Sequence, residues 1–225
     1  MKKLVKGLQR FRSETFAANK ELFERLSTNQ SPEVLFITCS DSRIYPNLIT
    51  SAEPGELFIL RNAGNIVPPY GTASGGEAAT IEYAVEALGV KDVIICGHTN
   101  CGAMKGLLFG KDLHESMPSV KTWLQYAETT KRLVLDKYPN ETDPGTLINI
   151  AVQENVLLQL VHLQTHPAIA SAISRSKISL HGWVFKIDAG DIFAFDADFG
   201  QFRPLTEHAK CASTGRLYLS EGSTL

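Results

Sequence analysis

Two apolar, β-branched runs in this chain stop abruptly at polar or glycine-rich residues. One ends in Leu35-Phe-Ile-Thr-Cys-Ser-Asp-Ser-Arg43, the other in Ile94-Ile-Cys-Gly-His-Thr-Asn-Cys-Gly102. Runs of this kind read as buried strands that deliver their last side chains to the edge of a sheet. The pattern predicts strands over 33–39, 56–61 and 92–97, with Glu53-Pro-Gly-Glu56 as the turn before the second and Asn62-Ala-Gly-Asn65 as a tight loop after it. Ser74-Gly-Gly-Glu77 has capping-box spacing, and Ile81, Ala84, Val85 and Leu88 form a helical stripe that Gly89 ends.

Beyond Cys101 the spacing predicts a short helix over 103–108 and then two long helical segments. Val120, Leu124, Ala127, Leu133 and Val134 mark the first; Ile148, Val152, Val156, Leu160 and Leu163 mark the second, which His166-Pro167 terminates. Residues 180–187 and 192–195 alternate like strands and are joined by Asp188-Ala-Gly-Asp191, a hairpin signal. At the start of the chain, Leu4, Leu8, Phe11, Phe16, Leu22, Phe23 and Leu26 recur at roughly helical spacing among charges. These predict one or two amphipathic helices that pack on their own domain or across a second subunit. The order of elements predicts an α/β fold with a mainly parallel β-sheet flanked by helices, in a single domain over 1–203. Residues 1–30 form its helical arm and residues 204–225 a loosely held polar tail.

Composition narrows the classes. With 225 residues, 44% hydrophobic and 20% charged, the chain can bury a sizeable core, and a formal net charge of −2 without any Lys/Arg block argues against a nucleic-acid or anionic-membrane partner. No stretch approaches the roughly 20 apolar residues of a membrane span. The basic start, Met1-Lys-Lys-Leu-Val-Lys-Gly7, is not followed by an apolar run or cleavage site. The expectation is a cytoplasmic protein, or one inside a compartment reached without a cleaved signal. In that setting metal binding or plain burial accounts for Cys39, Cys96, Cys101 and Cys211 better than disulfides do. Cys96 reads as a small buried hydrophobe, and Cys211 as a bystander in the polar tail.

The chemistry gathers where the two strands end. Side by side, those ends would bring Cys39, His98 and Cys101 together, and two thiolates with one imidazole suit zinc while leaving one position for chemistry. No second Cys-x-x-Cys exists, and His114, His162, His166, His181 and His208 lack metal-like spacing. A fourth ligand must come from Asp41, from water or from another chain.

Cys39-Ser-Asp41-Ser-Arg43, Glu53-Pro-Gly-Glu56, Arg61-Asn-Ala-Gly-Asn65 and His98-Thr-Asn-Cys101-Gly102, in this order and at these separations, resemble the β-class carbonic anhydrases. The resemblance implies zinc ligated by Cys39, His98 and Cys101, an Asp41–Arg43 dyad beside the metal, and reversible hydration of carbon dioxide to bicarbonate by a zinc-bound hydroxide. Close to the metal the Asp41 carboxylate is itself a good oxygen ligand, and because hydroxide competes better as pH rises, the expectation is a closed, Asp41-ligated state at low pH and an open one at high pH. The resemblance also implies N-terminal helices that embrace a second subunit, giving a homodimer or a dimer of dimers, with substrate-contacting positions at Gln30, Phe58, Ala63, Tyr83 and Gly102. An apolar wall there suits an uncharged substrate.

Another branch of that family holds an inhibitory bicarbonate away from the metal with a Trp, an Arg and a Tyr. The corresponding positions here are Phe36, Arg61 and Phe185, so two of the three donors are missing and no such site is expected. Arg61 is then expected to serve a structural role beneath the 62–65 loop. Hydrolysis of carbon disulfide or carbonyl sulfide on the same scaffold, and a non-catalytic zinc-stabilised scaffold in a carbon-fixing compartment, are the competing readings.

Overall fold

The computed structural model describes residues 1–72, 75–110 and 116–205. The chain folds as two compact units, the first Met1–Ser31 and the second beginning at Pro32. In the first, α1 (Lys2–Arg10) runs into a π-helical turn (Phe11–Phe16), and α2 (Lys20–Leu26) follows Asn19. Phe23 packs its ring against Phe11 and Phe16, with centroids 5.8 and 5.2 Å away. Leu4, Val5 and Leu8 remain exposed at 68%, 50% and 67%, an apolar stripe that nothing in this unit covers.

The second unit is built on six strands: β1 (Val34–Cys39), β2 (Leu57–Asn62), β3 (Asp92–His98), β4 (Ser179–Lys186), β5 (Asp191–Asp196) and β6 (Gln201–Pro204). Their order in the sheet is β2-β1-β3-β4-β5-β6. The first four run parallel and the last two antiparallel, so the hairpin read at 180–195 extends a parallel sheet into a mixed one. The central strands β1 and β3 are buried on both faces, as their unbroken apolar runs require. Leu35, Ile37, Val93 and Ile95 join the main core, while Phe36, Ile94, Cys96 and Phe185 form a smaller cluster on the other face.

The helices are α3 (Pro46–Thr50), α4 (Gly76–Glu82, continued by a π-helical turn over Tyr83–Ala87), α5 (Gly102–Phe109), α6 (Pro118–Leu124), α7 (Glu128–Lys137), α8 (Pro144–Gln164) and α9 (Pro167–Ser174). Helix α8 lies directly on the sheet. A Cβ on Gly97 would come within 2.9 Å of both Val152 and Val156, so only glycine admits the helix this close to β3. Asp143 caps it by accepting from the Thr146 N–H at 2.7 Å.

Several sequence readings are corrected. The stripe over 120–134 is two helices separated by a 3₁₀ turn at Gln125–Ala127. His166-Pro167 ends α8 but also starts α9, because proline is well tolerated in the first turn of a helix. Gly75 occupies the N-cap of α4, and the capping residue read at Ser74 lies outside the described residues. Residues 201–204, at the border of the expected tail, form an edge strand, and residues 206–225 lie outside the description. Among the described residues no helix is long and apolar enough to cross a membrane.

Candidate metal centre

Cys39 is the last residue of β1, His98 the last of β3, and Cys101 precedes the first turn of α5. Adjacent parallel strands that end at the same level bring one ligand atom from each residue to within 4.8 Å of the others. All three are buried, His98 completely. The imidazole Nδ1 lies 3.0 Å from the Thr99 carbonyl oxygen, which can only accept, so Nδ1 carries the proton and Nε2 presents a lone pair. That Nε2 is buried and has no hydrogen-bond partner among the described residues. A buried imidazole nitrogen without a partner, facing two thiols, is a donor set that fits zinc.

The two sulfurs are not equivalent without a metal. A hydrogen bond from Cys101 holds the Cys39 thiol well below its usual range, and the same pairing, reinforced by burial, pushes Cys101 up. The pair therefore shares one proton. Gly64 adds a backbone N–H to Cys39 Sγ at 3.3 Å, which steadies the thiolate. Cys96, by contrast, is pushed up to about 12 by burial, which agrees with its reading as a small hydrophobe.

Beside this cluster the carboxylate of Asp41 is gripped by Arg43. Nε donates to Oδ1 at 2.9 Å and Nη2 to Oδ2 at 2.7 Å, a fork that holds Asp41 well below the usual carboxylate range. Oδ2 lies 3.8 Å from His98 Nε2, at the mouth of the ligand cluster. Arg43 Nη2 also donates to the Asn100 carbonyl at 3.2 Å, and Asn100 N–H donates to Asn149 Oδ1 at 3.1 Å. Arg61 is structural but reaches further than its own loop: it donates to the carbonyls of Cys39 and Asp41, at 2.9 and 2.8 Å, and so fixes the backbone that carries both.

A buried polar ladder on α8 was invisible in the sequence. Asn155 Nδ2 donates to the Gly64 carbonyl at 3.0 Å, Gln159 Nε2 donates to Asn155 Oδ1 at 2.9 Å, and Gln159 Oε1 accepts from Val67 N–H at 2.8 Å. His162 and His166 continue it to the carbonyls of Val67 and Pro68, and burial lowers the pKa of both. The ladder orients the loop whose Gly64 N–H meets Cys39. Trp123 adds an indole N–H to the Ala63 carbonyl at 2.8 Å. The only sequence signal was polar residues falling inside the apolar stripe of α8.

The positions expected to contact substrate are not all gathered at the Cys39–His98–Cys101 cluster. Phe58 stands opposite Leu35, four register steps before Cys39, or about 13 Å along the strand. Its ring packs against Tyr83 at 6.0 Å. Ala63 and Gly102 are exposed beside the candidate metal ligands, and Gln30 is exposed in the first unit.

Comparison with known proteins agrees with this geometry. Residues 34–192 match the carbonic anhydrase family model. The chain is 52% identical to a carbonic anhydrase of Synechocystis sp., over 90% of this chain and 73% of that protein. It is 41% identical to one of Pseudomonas aeruginosa, over 96% of each. Among solved structures it resembles the beta-carbonic anhydrase CcaA, with TM-score 0.89 and 51% identity over 91% of this chain and 99% of that one. It also resembles a tetrameric beta-carbonic anhydrase of Sordaria macrospora, with TM-score 0.78 and 30% identity over 86% and 95%.

Proposed function

This chain belongs to the β-class carbonic anhydrases, and from that membership we propose that it hydrates carbon dioxide reversibly at a zinc ion held by Cys39, His98 and Cys101. The observation that carries the zinc assignment is His98 Nε2, buried without a hydrogen-bond partner among the described residues and facing two thiols. Zinc bound there would supply a Lewis acid that brings the pKa of water towards neutrality and so makes a nucleophile available.

The chain's own side chains supply orientation and proton placement. Thr99 fixes the tautomer and tilt of His98. Arg43 keeps Asp41 ionised and stationary, so Oδ2 accepts a hydrogen bond from the nucleophile and turns its lone pair towards the carbon of carbon dioxide. Oxygen–carbon bond formation gives bicarbonate, and the released proton passes to buffer. If Asp41 left the fork it would itself become the fourth ligand and close the site, the form favoured at low pH.

Carbon dioxide offers no charge to recognise, so its pocket must be apolar. Phe58, Tyr83 and Ala63 supply that wall across a subunit interface, with Gln30 as a hydrogen-bonding amide and Gly102 leaving room near the ion. The exposed stripe Leu4, Val5 and Leu8 supports an arm that joins two copies, in a dimer or a dimer of dimers. A cytoplasmic site of action fits this assembly.

Stopped-flow carbon dioxide hydration with parallel metal analysis, on the zinc-loaded protein and on Asp41→Ala, tests the reading. It requires a fast wild type and a variant that keeps its zinc but loses about 100-fold in rate. A zinc-replete wild type inert towards carbon dioxide but active on carbonyl sulfide would assign the scaffold to the other hydrolysis.

A further inference from the structure

We propose that the cavity of about 210 Å³ between α8 and the β4–β5–β6 meander is a binding site for a small organic carboxylate with an apolar body. It is lined by Thr99, Asn149, Val184, Lys186, Phe193 and Phe202, with Gln153 at the rim. Side chains alternate along β4, so Val184 and Lys186 face this cavity while Phe185 belongs to the cluster containing Phe36 on the other side of the sheet. None of Cys39, His98 and Cys101 lines this cavity, and Phe36 and Phe185, which correspond to positions of a bicarbonate site in the other branch, lie on the opposite face of the sheet.

The polar groups that converge here are donors whose acceptors are missing. Asn149 uses its Oδ1 to accept from Asn100 N–H, which leaves both amide N–H groups without an acceptor among the described residues. Thr99 Oγ1 accepts from Ile187 N–H at 3.1 Å, and its own hydrogen likewise has no acceptor among them. Lys186 Nζ sits 4.3 Å from the centroid of Phe193 and makes no ion pair among the described residues, although the exposed Asp191 is its register partner. A cation over an aromatic face is held weakly compared with one paired to a carboxylate.

Two kinds of ligand are excluded by this inventory. A neutral apolar molecule would leave the amide, the hydroxyl and the ammonium unsatisfied in a partly desolvated pocket. A bare inorganic anion would leave the apolar surfaces of Val184, Phe193 and Phe202 uncovered. A carboxylate satisfies the donors with its oxygens and the wall with its body. The volume equals about seven waters at roughly 30 Å³ each, which limits the ligand to benzoate size.

The test uses the full-length zinc-loaded protein with excess thiocyanate to occupy the metal, and follows 4-fluorobenzoate by fluorine NMR. The proposal requires saturable binding, with amide shifts at Val184, Lys186 and Phe193. Lys186→Met should weaken binding about tenfold or more, and so should Gln153→Glu, which places a like charge at the exposed rim; neither should alter hydration without ligand. Absence of binding, binding abolished by thiocyanate, or equal affinity in wild type and both variants would each overturn it, the second by assigning the carboxylate to the metal alone.

Discussion

Arg43 holds Asp41 by both carboxylate oxygens, through Nε and Nη2 at 2.9 and 2.7 Å, while the same Nη2 reaches the carbonyl of Asn100, two residues from His98. The dyad thus ties the end of β1 to the end of β3 across the ligand cluster. A lysine has one ammonium and no fork, so Arg43→Lys cannot reproduce this grip. The expected result is a loss of about 100-fold in hydration rate with zinc content unchanged, measured by stopped flow and metal analysis.

The same fork sets a dependence on acid. Asp41 has a folded-state pKa below its unfolded value of about 3.9, because hydrogen bonds from Arg43 favour the charged form. Its contribution to stability is therefore fully present above that value and is lost as pH falls through the folded pKa. Both side chains are partly exposed, at 48% and 17%, so screening keeps the contribution small. Urea denaturation of wild type and Asp41→Asn should differ at pH 7, and the difference should begin to shrink as pH falls below the unfolded value of about 3.9.

The shared proton of Cys39 and Cys101 predicts how metal is taken up. The hydrogen bond between the two sulfurs lets the pair hold one proton between them, so together they release about one proton when zinc binds. Calorimetric titration of metal-free protein in buffers of different ionisation enthalpy measures this number. Two protons from the sulfurs would contradict the unequal pair.

Asn155→Leu tests the ladder on α8. The substitution leaves the carbonyl of Gly64 and the amide of Gln159 unpaired in a buried place, and frees the loop that brings Gly64 N–H to Cys39. The expected cost is about 2 kcal/mol or more in stability, read by denaturation. Zinc affinity should fall by 10- to 100-fold, as is typical when an outer hydrogen bond is lost, read by chelator competition.

Bicarbonate should inhibit without strong cooperativity. Phe36 and Phe185 are buried in an apolar cluster, and neither offers a hydrogen-bond donor. Trp183, packed against the same cluster, has one indole N–H without a partner among the described residues, too few donors to desolvate and hold the anion. Initial rates across a bicarbonate series at mid pH decide this; a steep sigmoidal loss of activity would contradict it.

What the sequence made legible follows from where the physics is local. Cys39, His98 and Cys101 could be brought together on paper because each follows an unbroken apolar run, and parallel neighbours end at the same level. The hairpin over 180–195 was readable from Asp188-Ala-Gly-Asp191 alone. The reach of Arg61 was not readable: its targets lie at the end of the neighbouring strand β1 and just beyond it, at Cys39 and Asp41, rather than in the loop it precedes. Asn155 and Gln159 were hidden for the opposite reason, since residues inside a strong apolar stripe are taken as core, and only tertiary contact shows that they satisfy a buried loop. Helix α9 escaped because a proline that stops one helix is equally fit to begin the next.

The central claim is that one strand end contributes a sulfur and its neighbour a nitrogen and a second sulfur to a single ion. Zinc-edge X-ray absorption on protein loaded with one equivalent of metal reads that ligand set directly. The account requires two sulfurs at about 2.3 Å and the remaining shell of nitrogen or oxygen at about 2.0–2.1 Å. A shell with no sulfur, or with a single one, would contradict it.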